Sequence, residues 1–129
     1  MPLPLVIAIV DDDPEVRDAL CDLLLVEGLE CRAFESAEAF LGAYSAGVFA
    51  SVITDLRMAG MSGLKLLASL KAADPSLPVI VVTSFADPQI QQQALERGAS
   101  AVLIKPVRDV DLLGRLSGLL GEGKKPSDG

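Results

Sequence analysis

Near its start the chain carries a strand-like run that ends in three carboxylates and a proline, Leu5-Val6-Ile7-Ala8-Ile9-Val10-Asp11-Asp12-Asp13-Pro14. A run that is apolar at every position is typical of a parallel strand buried on both faces of a sheet. The Asp13-Pro14 pair is typical of a helix start, because Asp is a good N-cap and proline suits the first helical position. We therefore expect a buried strand, a polar turn and a helix in that order.

Three later apolar runs also lead into a polar residue: 51–54 into Asp55, 79–82 into Thr83, and 101–104 into Lys105. Amphipathic stretches separate the runs, and this alternation predicts a doubly wound parallel sheet with helices on both faces. The carboxyl ends of parallel strands meet at one edge of the sheet, where open α/β proteins bind ligands. We therefore expect the polar residues to converge on one site.

Two segments depart from the pattern of a well-buried element. Residues 29–33 alternate between apolar and polar, which predicts a half-exposed edge strand. The helix expected from about Pro88 contains three glutamines and only a thin apolar stripe of Ile90, Ala94 and Leu95. We expect it to be the most weakly packed helix and a mobile element beside the site.

Length and composition limit the classes of protein to consider. The 129 residues, half of them hydrophobic, suit one compact domain. A net charge of −7 and an aromatic content of 4% argue against direct binding to nucleic acid or anionic lipid. Residues 121–129 offer no apolar side chain to bury, so we expect the folded unit to end near Leu120 and a disordered tail or linker to follow.

The two cysteines, Cys21 and Cys31, share no metal-binding or redox spacing. They lie in a helical and a strand-like pattern, and we expect two buried, reduced thiols rather than a disulfide. The sequence shows no signal peptide and no apolar stretch near the roughly 20 residues of a membrane span. We therefore expect a cytoplasmic protein that does not associate with membranes.

The polar residues at the strand ends suit phosphoryl chemistry. Asp11, Asp12 and Asp55 would repel one another unless a cation neutralises them, and oxygen ligands without histidine favour Mg²⁺ over zinc, with Mn²⁺ as a substitute. Asp55 stands alone at its strand end, where its carboxylate can attack phosphorus. Thr83 and Lys105 could then stabilise the charge on the transferred group.

Four ordered motifs resemble those of the receiver domains of bacterial response regulators, in particular the FixJ type. They are Ile9-Val10-Asp11-Asp12-Asp13-Pro14-Glu15-Val16-Arg17, Thr54-Asp55-Leu56-Arg57-Met58-Ala59-Gly60-Met61-Ser62-Gly63, Val81-Val82-Thr83-Ser84 and Ile104-Lys105-Pro106. The match runs from about residue 5 to 120. It implies a single receiver domain over 1–120, with a five-stranded parallel sheet of flavodoxin-like order 2-1-3-4-5 and helices on both faces.

The resemblance also assigns roles to the residues of the acidic site. Asp55 matches the phosphoacceptor, and Asp11 and Asp12 match the acidic pair that binds the metal together with Asp55. The backbone carbonyl of Arg57 matches a further metal ligand. Arg57 and Phe85 occupy positions that tune the lifetime of the phosphoryl group in receivers, and their size implies restricted access for water.

Other positions match the switching machinery of receivers. Thr83 matches the switch hydroxyl and Lys105 the lysine that pairs with the phosphoryl group, while the Lys105-Pro106 bond is expected to be cis. Three positions differ from the usual receiver residues: Val102 replaces the switch aromatic, Ala59 a proline, and Val107 a phenylalanine. Valine has no ring to rotate, so the readout of phosphorylation is expected to differ.

The leading hypothesis is a phosphorylation-dependent signalling switch that is not an enzyme but assists its own phosphorylation and dephosphorylation. Its partner would be a histidine kinase or phosphotransfer protein, and phosphorylation would expose a partner or homodimer surface on helices 88–97 and 109–120. An alternative is a constitutive interaction module that does not signal through phosphate, which Val102 favours. A haloacid-dehalogenase-like phosphatase fits less well, because those enzymes need a second Asp where this chain has Arg57.

Overall fold

The structure is a computed structural model that describes residues 6–45, 47–57, 60, 62–84 and 87–120, with the side chain of Leu120 excepted. Five strands and five helices alternate within these ranges. They are β1 (Val6–Val10), α1 (Pro14–Val26), β2 (Glu30–Phe34), α2 (Ala37–Ala43), β3 (Ser51–Thr54), α3 (Gly63–Ala73), β4 (Val79–Thr83), α4 (Pro88–Glu96), β5 (Ala101–Ile104) and α5 (Asp109–Leu120). The predicted tail 121–129, Ala59 and Phe85 lie outside the described residues.

The strands form one parallel sheet in the order β2-β1-β3-β4-β5. This confirms the predicted doubly wound fold and its strand order. The three central strands β1, β3 and β4 are buried at almost every position, because helices cover both faces of the sheet. Strand β2 lies at one edge and is exposed at three of its five positions, which confirms the predicted edge strand.

Each face of the sheet carries its own hydrophobic core, because successive side chains of a strand point to opposite faces. On β1, Ile7 and Ile9 face one core, whereas Ala8 and Val10 face the other. The first core is closed by residues of α1 and α5, namely Leu24, Leu112 and Leu116. The second is closed by residues of α2, α3 and α4, namely Phe40, Leu66, Leu67, Leu70 and Ala94.

The ends of α1 and α4 coincide with capping residues in the sequence. The Asp13 side chain accepts from the N–H of Glu15 at 2.9 Å, and Asp87 accepts from Gln89 at 2.8 Å. Gly28 and Gly98 follow α1 and α4 with φ of 79° and 108°, a left-handed conformation that favours glycine. Helix α1 therefore begins immediately after the acidic turn.

Helix α4 contributes little to the core. Only Ala94 is fully buried and Ile90 is half-buried, whereas α3 buries four residues, Gly63, Leu66, Leu67 and Leu70. Leu95, the third residue of the apolar stripe, is 47% exposed. Weak packing of α4 agrees with the sequence pattern, and its mobility stays a prediction.

The prediction of two reduced, buried cysteines was wrong. Cys21 of α1 and Cys31 of β2 form a disulfide, with their Cα atoms 5.6 Å apart, and both residues are half-buried. The physical reason is the β1-α1-β2 crossover, which lays α1 against the edge strand that follows it. Their separation of ten residues gives no sign of this contact in the sequence.

Candidate functional site

The two buried carboxylates of the site follow neighbouring strands. Asp11 follows β1 and Asp55 follows β3, and the backbone N–H of Asp55 donates to the Val10 carbonyl at 3.0 Å. Their exposed fractions are only 3% and 8%. Two carboxylates with so little access to water need a positive partner close by.

Lys105 supplies that partner from the far side of β4. Its Nζ donates to Asp11 Oδ2 at 2.9 Å and to Asp55 Oδ2 at 2.8 Å. Burial lowers the pKa of Lys105, but its hydrogen bonds and charge interactions with both carboxylates outweigh burial and hold the pKa above the ordinary value. The ammonium therefore stays charged between the carboxylates, and the predicted convergence of these three residues is confirmed.

All four polar groups of Asp11 have partners. Its N–H donates to the Phe34 carbonyl at 3.1 Å, and its carbonyl accepts from Arg17 Nη1 at 2.8 Å. Its Oδ1 accepts from the N–H of Asp13 at 2.9 Å, and its Oδ2 accepts from Lys105. Arg17 lies in the first of the four motifs, but its role could not be predicted from the sequence, because a contact between a guanidinium and a main-chain carbonyl leaves no residue pattern.

The backbone after β3 orients Asp55. Its Oδ1 accepts from the N–H of Leu56 at 2.7 Å and of Arg57 at 3.3 Å, so its Oδ2 is the oxygen that faces Lys105. Gly63, the first residue of α3, donates to the Leu56 carbonyl at 3.0 Å. A Cβ at Gly63 would overlap the Asp55 carbonyl oxygen and lie 2.7 Å from Leu56 Cα, so only glycine allows α3 to start here.

The remaining predicted residues surround this centre. Thr83 is the last residue of β4 and is fully buried, and its carbonyl accepts from the N–H of Lys105 at 2.8 Å. Asp12 and Arg57 are exposed beside their buried neighbours Asp11 and Asp55. The structure thus places Asp11, Asp12, Asp55, Arg57, Thr83 and Lys105 at the carboxyl edge of the sheet.

The donor chemistry of this edge fits a hard divalent cation. Asp11, Asp12, Asp55 and the Arg57 carbonyl offer oxygen atoms only, as Mg²⁺ prefers. The single Lys105 charge does not balance three carboxylates. Across the described ranges, no three acidic side chains form a ready-made metal cluster, and Lys105 lies between Asp11 and Asp55.

The sequence of this chain matches one known protein family over most of its length. Residues 7–117 match the family model described as the response regulator receiver domain. The chain belongs to the response regulator receiver family. Receivers of this family act as phosphorylation switches in two-component systems and generally use Mg²⁺.

Similar proteins and structures agree with the family. The receiver is 38% identical over 120 residues to the transcriptional regulatory protein TdiR of Thauera aromatica, covering 93% of this chain and 53% of TdiR. It is 37% identical over 121 residues to FixJ of Azorhizobium caulinodans, covering 94% of this chain and 57% of FixJ. The receiver therefore spans little more than half the length of these relatives.

Solved receiver structures superpose closely on the described fold. The FixJ-N crystal structure has a TM-score of 0.83 at 30% identity, covering 94% of this chain and 97% of that one. A response regulator receiver domain from Clostridium thermocellum has a TM-score of 0.87 at 27% identity, covering 93% of this chain and 97% of the other. The sheet order and the five helices are thus those of receivers.

Three further features of this receiver lie on β5 or in the segment that follows it. An apolar groove of about 530 Å³ runs between α1 and the segment after β5, and Lys105 forms part of its wall. Val102 of β5 is half-buried against the core under α2, α3 and α4. The Lys105-Pro106 peptide bond is cis, as expected.

Proposed function

We propose that this receiver is a phosphorylation-dependent switch that accepts a phosphoryl group on Asp55 within a two-component phosphorelay. The observation that carries the proposal is the buried contact of Asp55 Oδ2 with the Lys105 ammonium, 2.8 Å away, beside a second buried carboxylate. A structural ion pair would not need two buried carboxylates for one lysine. A phosphoryl acceptor needs the cation, because charge must be balanced when the phosphoryl group arrives.

The two oxygens of Asp55 would have different tasks. Oδ1 is held by the N–H groups of Leu56 and Arg57, and this fixes the plane of the carboxylate. Oδ2 would attack phosphorus, and the bond between phosphorus and the donor's leaving atom would break as the new P–O bond forms. Lys105 would then pair with an oxygen of the transferred phosphoryl group instead of with Oδ2.

The proposed metal ligands are the carboxylates of Asp11, Asp12 and Asp55 and the backbone carbonyl of Arg57. Mg²⁺, or Mn²⁺ in its place, supplies positive charge for the phosphoryl oxygens when it is bound. The protein's own contribution is to hold Asp11 and Asp55 buried and immobile through their backbone hydrogen bonds. Arg57, together with Phe85, would restrict the access of water to the acyl phosphate.

Thr83 would transmit the change, because it lies buried at the end of β4, directly before the segment that leads to α4. The weak packing of α4 makes it the element that can move at the least cost in buried surface. Leu95, Ile104 and Val110 leave exposed apolar surface on α4, β5 and α5. We propose this surface, over helices 88–97 and 109–120, as the site of homodimer or partner contact.

Receiver domains interact with histidine kinases and with output domains, and the relatives of this chain include transcriptional regulators. We propose that a histidine kinase or phosphotransfer protein is the donor, approaching from the side of the apolar groove that Lys105 lines. The charge of −7 supports a domain that does not bind nucleic acid itself. We propose 1–120 as the receiver domain and 121–129 as a disordered tail or linker.

The proposed location is the cytoplasm, where histidine kinases place their phosphodonor groups. No helix among the described ranges is long and apolar enough to cross a lipid bilayer. The receiver would assist its own phosphorylation and dephosphorylation through Lys105 and the metal ligands, without turning over a separate substrate.

The second candidate is a constitutive interaction module, which Val102 favours. In receivers the matching position commonly carries an aromatic ring, and the half-buried Val102 side chain has no ring to exchange between buried and exposed positions. Such a module would bind its partner equally well whether or not Asp55 carries a phosphoryl group.

The decisive experiment is intact-mass analysis after incubation with acetyl phosphate and Mg²⁺. Wild type should gain one phosphoryl group, Asp55→Asn none, and the exposed Asp22→Asn of α1 should behave as wild type. An adduct on Asp55→Asn would refute Asp55 as the acceptor. No adduct on wild type, under conditions that modify a control receiver, would favour the constitutive module.

A further inference from the structure

The main chain of Asp11 is clamped between two elements. Helix α1 provides Arg17, whose Nη1 donates to the Asp11 carbonyl at 2.8 Å. Strand β2 provides the Phe34 carbonyl, which accepts from the Asp11 N–H at 3.1 Å. The position of the proposed metal ligand Asp11 therefore depends on α1 and β2 as well as on β1, which it follows.

The same two elements are joined covalently. Cys21 lies one helical turn after Arg17 on α1, and Cys31 lies three residues before Phe34 on β2, and the two cysteines form a disulfide. The covalent link and the clamp are thus two connections between α1 and β2, separated by a single turn of helix.

Besides the disulfide, α1 and β2 meet mainly through partly buried side chains such as Leu20, Leu23 and Leu29. Leu24 is the only fully buried residue of α1, and β2 has no fully buried residue. Strand β2 is also the sheet edge, so only β1 pairs with it. Where few side chains are fully buried, a covalent link adds a constraint that packing supplies elsewhere in the fold.

Both cysteines are half-buried at the margin of a core rather than enclosed within it, and the proposal requires that a small thiol reach the bond. The thiolate of such a molecule attacks one Sγ, the Sγ–Sγ bond breaks and a mixed disulfide forms. A second small thiol then attacks the mixed disulfide, leaving two protein thiols and one small-molecule disulfide. The protein gains two electrons and two protons, and two small thiols are oxidised.

We propose that Cys21 and Cys31 are a thiol–disulfide exchange site for low-molecular-weight thiols, through which redox state sets the metal affinity of the acidic site. The oxidised pair holds α1 against β2 and so keeps Asp11 in place. Reduction loosens the clamp and weakens metal binding. The proposal rests on the proposed function, because it uses Asp11 as a metal ligand.

The test is Mn²⁺ binding to the full chain, measured from the electron paramagnetic resonance signal of free Mn²⁺. We expect the dissociation constant to rise about threefold when dithiothreitol reduces wild type, a size typical of coupling through neighbouring contacts. Cys21→Ser with Cys31→Ser should bind like the reduced protein and not respond to dithiothreitol. Equal affinity of oxidised and reduced wild type would overturn the proposal.

We propose that Arg17 is a positioning residue for Asp11, through which the redox state of the cysteines affects metal binding. Substitutions of Arg17 test this connection. Arg17→Met should weaken Mn²⁺ binding in the oxidised protein and shrink the redox effect, and Arg17→Lys should restore part of both. The matched control is Arg115→Met on the exposed side of α5, which should retain the threefold effect. A full redox effect in Arg17→Met would overturn the route through Arg17.

Two more outcomes separate this proposal from the proposed function. Wild type incubated with a glutathione redox buffer and then titrated for free thiols should pass reversibly between zero and two thiols. Two thiols under fully oxidising conditions would overturn the exchange site and leave phosphorylation untouched. Failure to bind Mn²⁺ in either redox state would overturn the proposed metal site as well.

Discussion

Two half-buried lysines lie at opposite edges of the sheet and face different partners. Lys105, at the carboxyl edge, donates to the carboxylates of Asp11 and Asp55. Lys71, in the last turn of α3 at the amino edge, donates to the backbone carbonyls of Leu77 at 2.6 Å and Pro75 at 3.2 Å. Both ammonium groups are satisfied by hydrogen bonds, but only Lys105 is neutralised.

This difference appears in their pKa values. Burial lowers the pKa of Lys71, and the charge of Asp74 only partly offsets it. Burial also acts on Lys105, but two carboxylates reverse the direction and raise its pKa. At Lys71 the cost of burial outweighs the attraction of its partners, whereas at Lys105 the two carboxylates outweigh the cost of burial and favour the charged ammonium.

The largest expected difference between the edges is in phosphorylation rate. Lys105→Met should slow phosphorylation by acetyl phosphate at least about 100-fold, because a single group that stabilises transition-state charge is worth that much. Lys71→Met should stay within about twofold of wild type, since it lies at the far edge and contacts no site residue. The measurement is the initial rate of adduct formation by mass spectrometry. Equal losses would mean that Lys105 acts only through stability.

Substitutions of Gly63 and Gly98 test how changes in the backbone at each edge affect stability and phosphorylation. Gly63→Ala should lower the free energy of unfolding by about 1–3 kcal/mol, because its Cβ meets the rigid backbone of Asp55 and Leu56. It should also slow phosphorylation, since Asp55 would be displaced. Urea unfolding and the phosphorylation assay measure the two effects.

Gly98→Ala is the matched change at the amino edge. Its Cβ would lie 2.8 Å from Lys71 Cγ, a flexible side chain, but its φ of 108° disfavours alanine. We expect a loss of about 1–2 kcal/mol from the left-handed backbone and an unchanged phosphorylation rate once folded. A slowed rate would show that the two edges are coupled.

The lysines should also give stability profiles of opposite slope in alkali. The folded-state pKa of Lys105 is raised, so its contribution is complete below the ordinary lysine pKa of about 10.4 and is lost as pH rises through the folded value. The folded-state pKa of Lys71 is lowered, so its charged form costs stability near neutral pH, and the cost disappears as pH rises toward the ordinary value.

Urea unfolding from about pH 8 to about pH 11 measures both slopes. Relative to Lys105→Met, wild type should lose stability as pH rises. Relative to Lys71→Met, it should gain stability over the same interval. If the stability of wild type relative to each of the two variants changed with pH in the same direction, the contrast between carboxylate and carbonyl partners would be wrong.

The smallest expected effect is a spectroscopic shift at the amino edge. Tyr44 donates to Asp74 Oδ2 at 2.8 Å, and this hydrogen bond, with burial and the Asp74 charge, raises the Tyr44 pKa. Because the chain has one tyrosine and no tryptophan, absorbance at alkaline pH follows Tyr44 alone. Asp74→Asn should return the titration toward the ordinary value, and Asp55→Asn should not move it.

The two edges were not equally predictable from sequence. The carboxyl edge was predictable, because Asp11, Asp55 and Lys105 each follow a strand-like run and the ends of parallel strands lie together. The amino edge was not, because the contacts of Tyr44 with Asp74 and of Lys71 with loop carbonyls depend on where helices stop. Such contacts join single atoms across loops and leave no periodic pattern.

Even at the carboxyl edge, the sequence showed which charges meet but not what holds them. The roles of Arg17 and of the Phe34 carbonyl depend on main-chain atoms, which every residue type carries. The Cys21–Cys31 bond depends on how α1 lies across β2, which residue spacing does not encode. The acidic residues were predictable from their type and the supporting contacts only from the packing.

Lys105 follows the last strand of the sheet, so it is synthesised after the two carboxylates that it contacts. The carboxylates of Asp11 and Asp55 belong to β1 and β3, whereas their ammonium partner follows the fifth strand. A nascent chain that has left the ribosome only as far as β4 carries both carboxylates without the lysine. If β1 pairs with β3 at that point, only cations from the surrounding solution can offset the repulsion between the two carboxylates until Lys105 is in place. Mg²⁺ would then act first as a counter-ion for folding and only later in signalling.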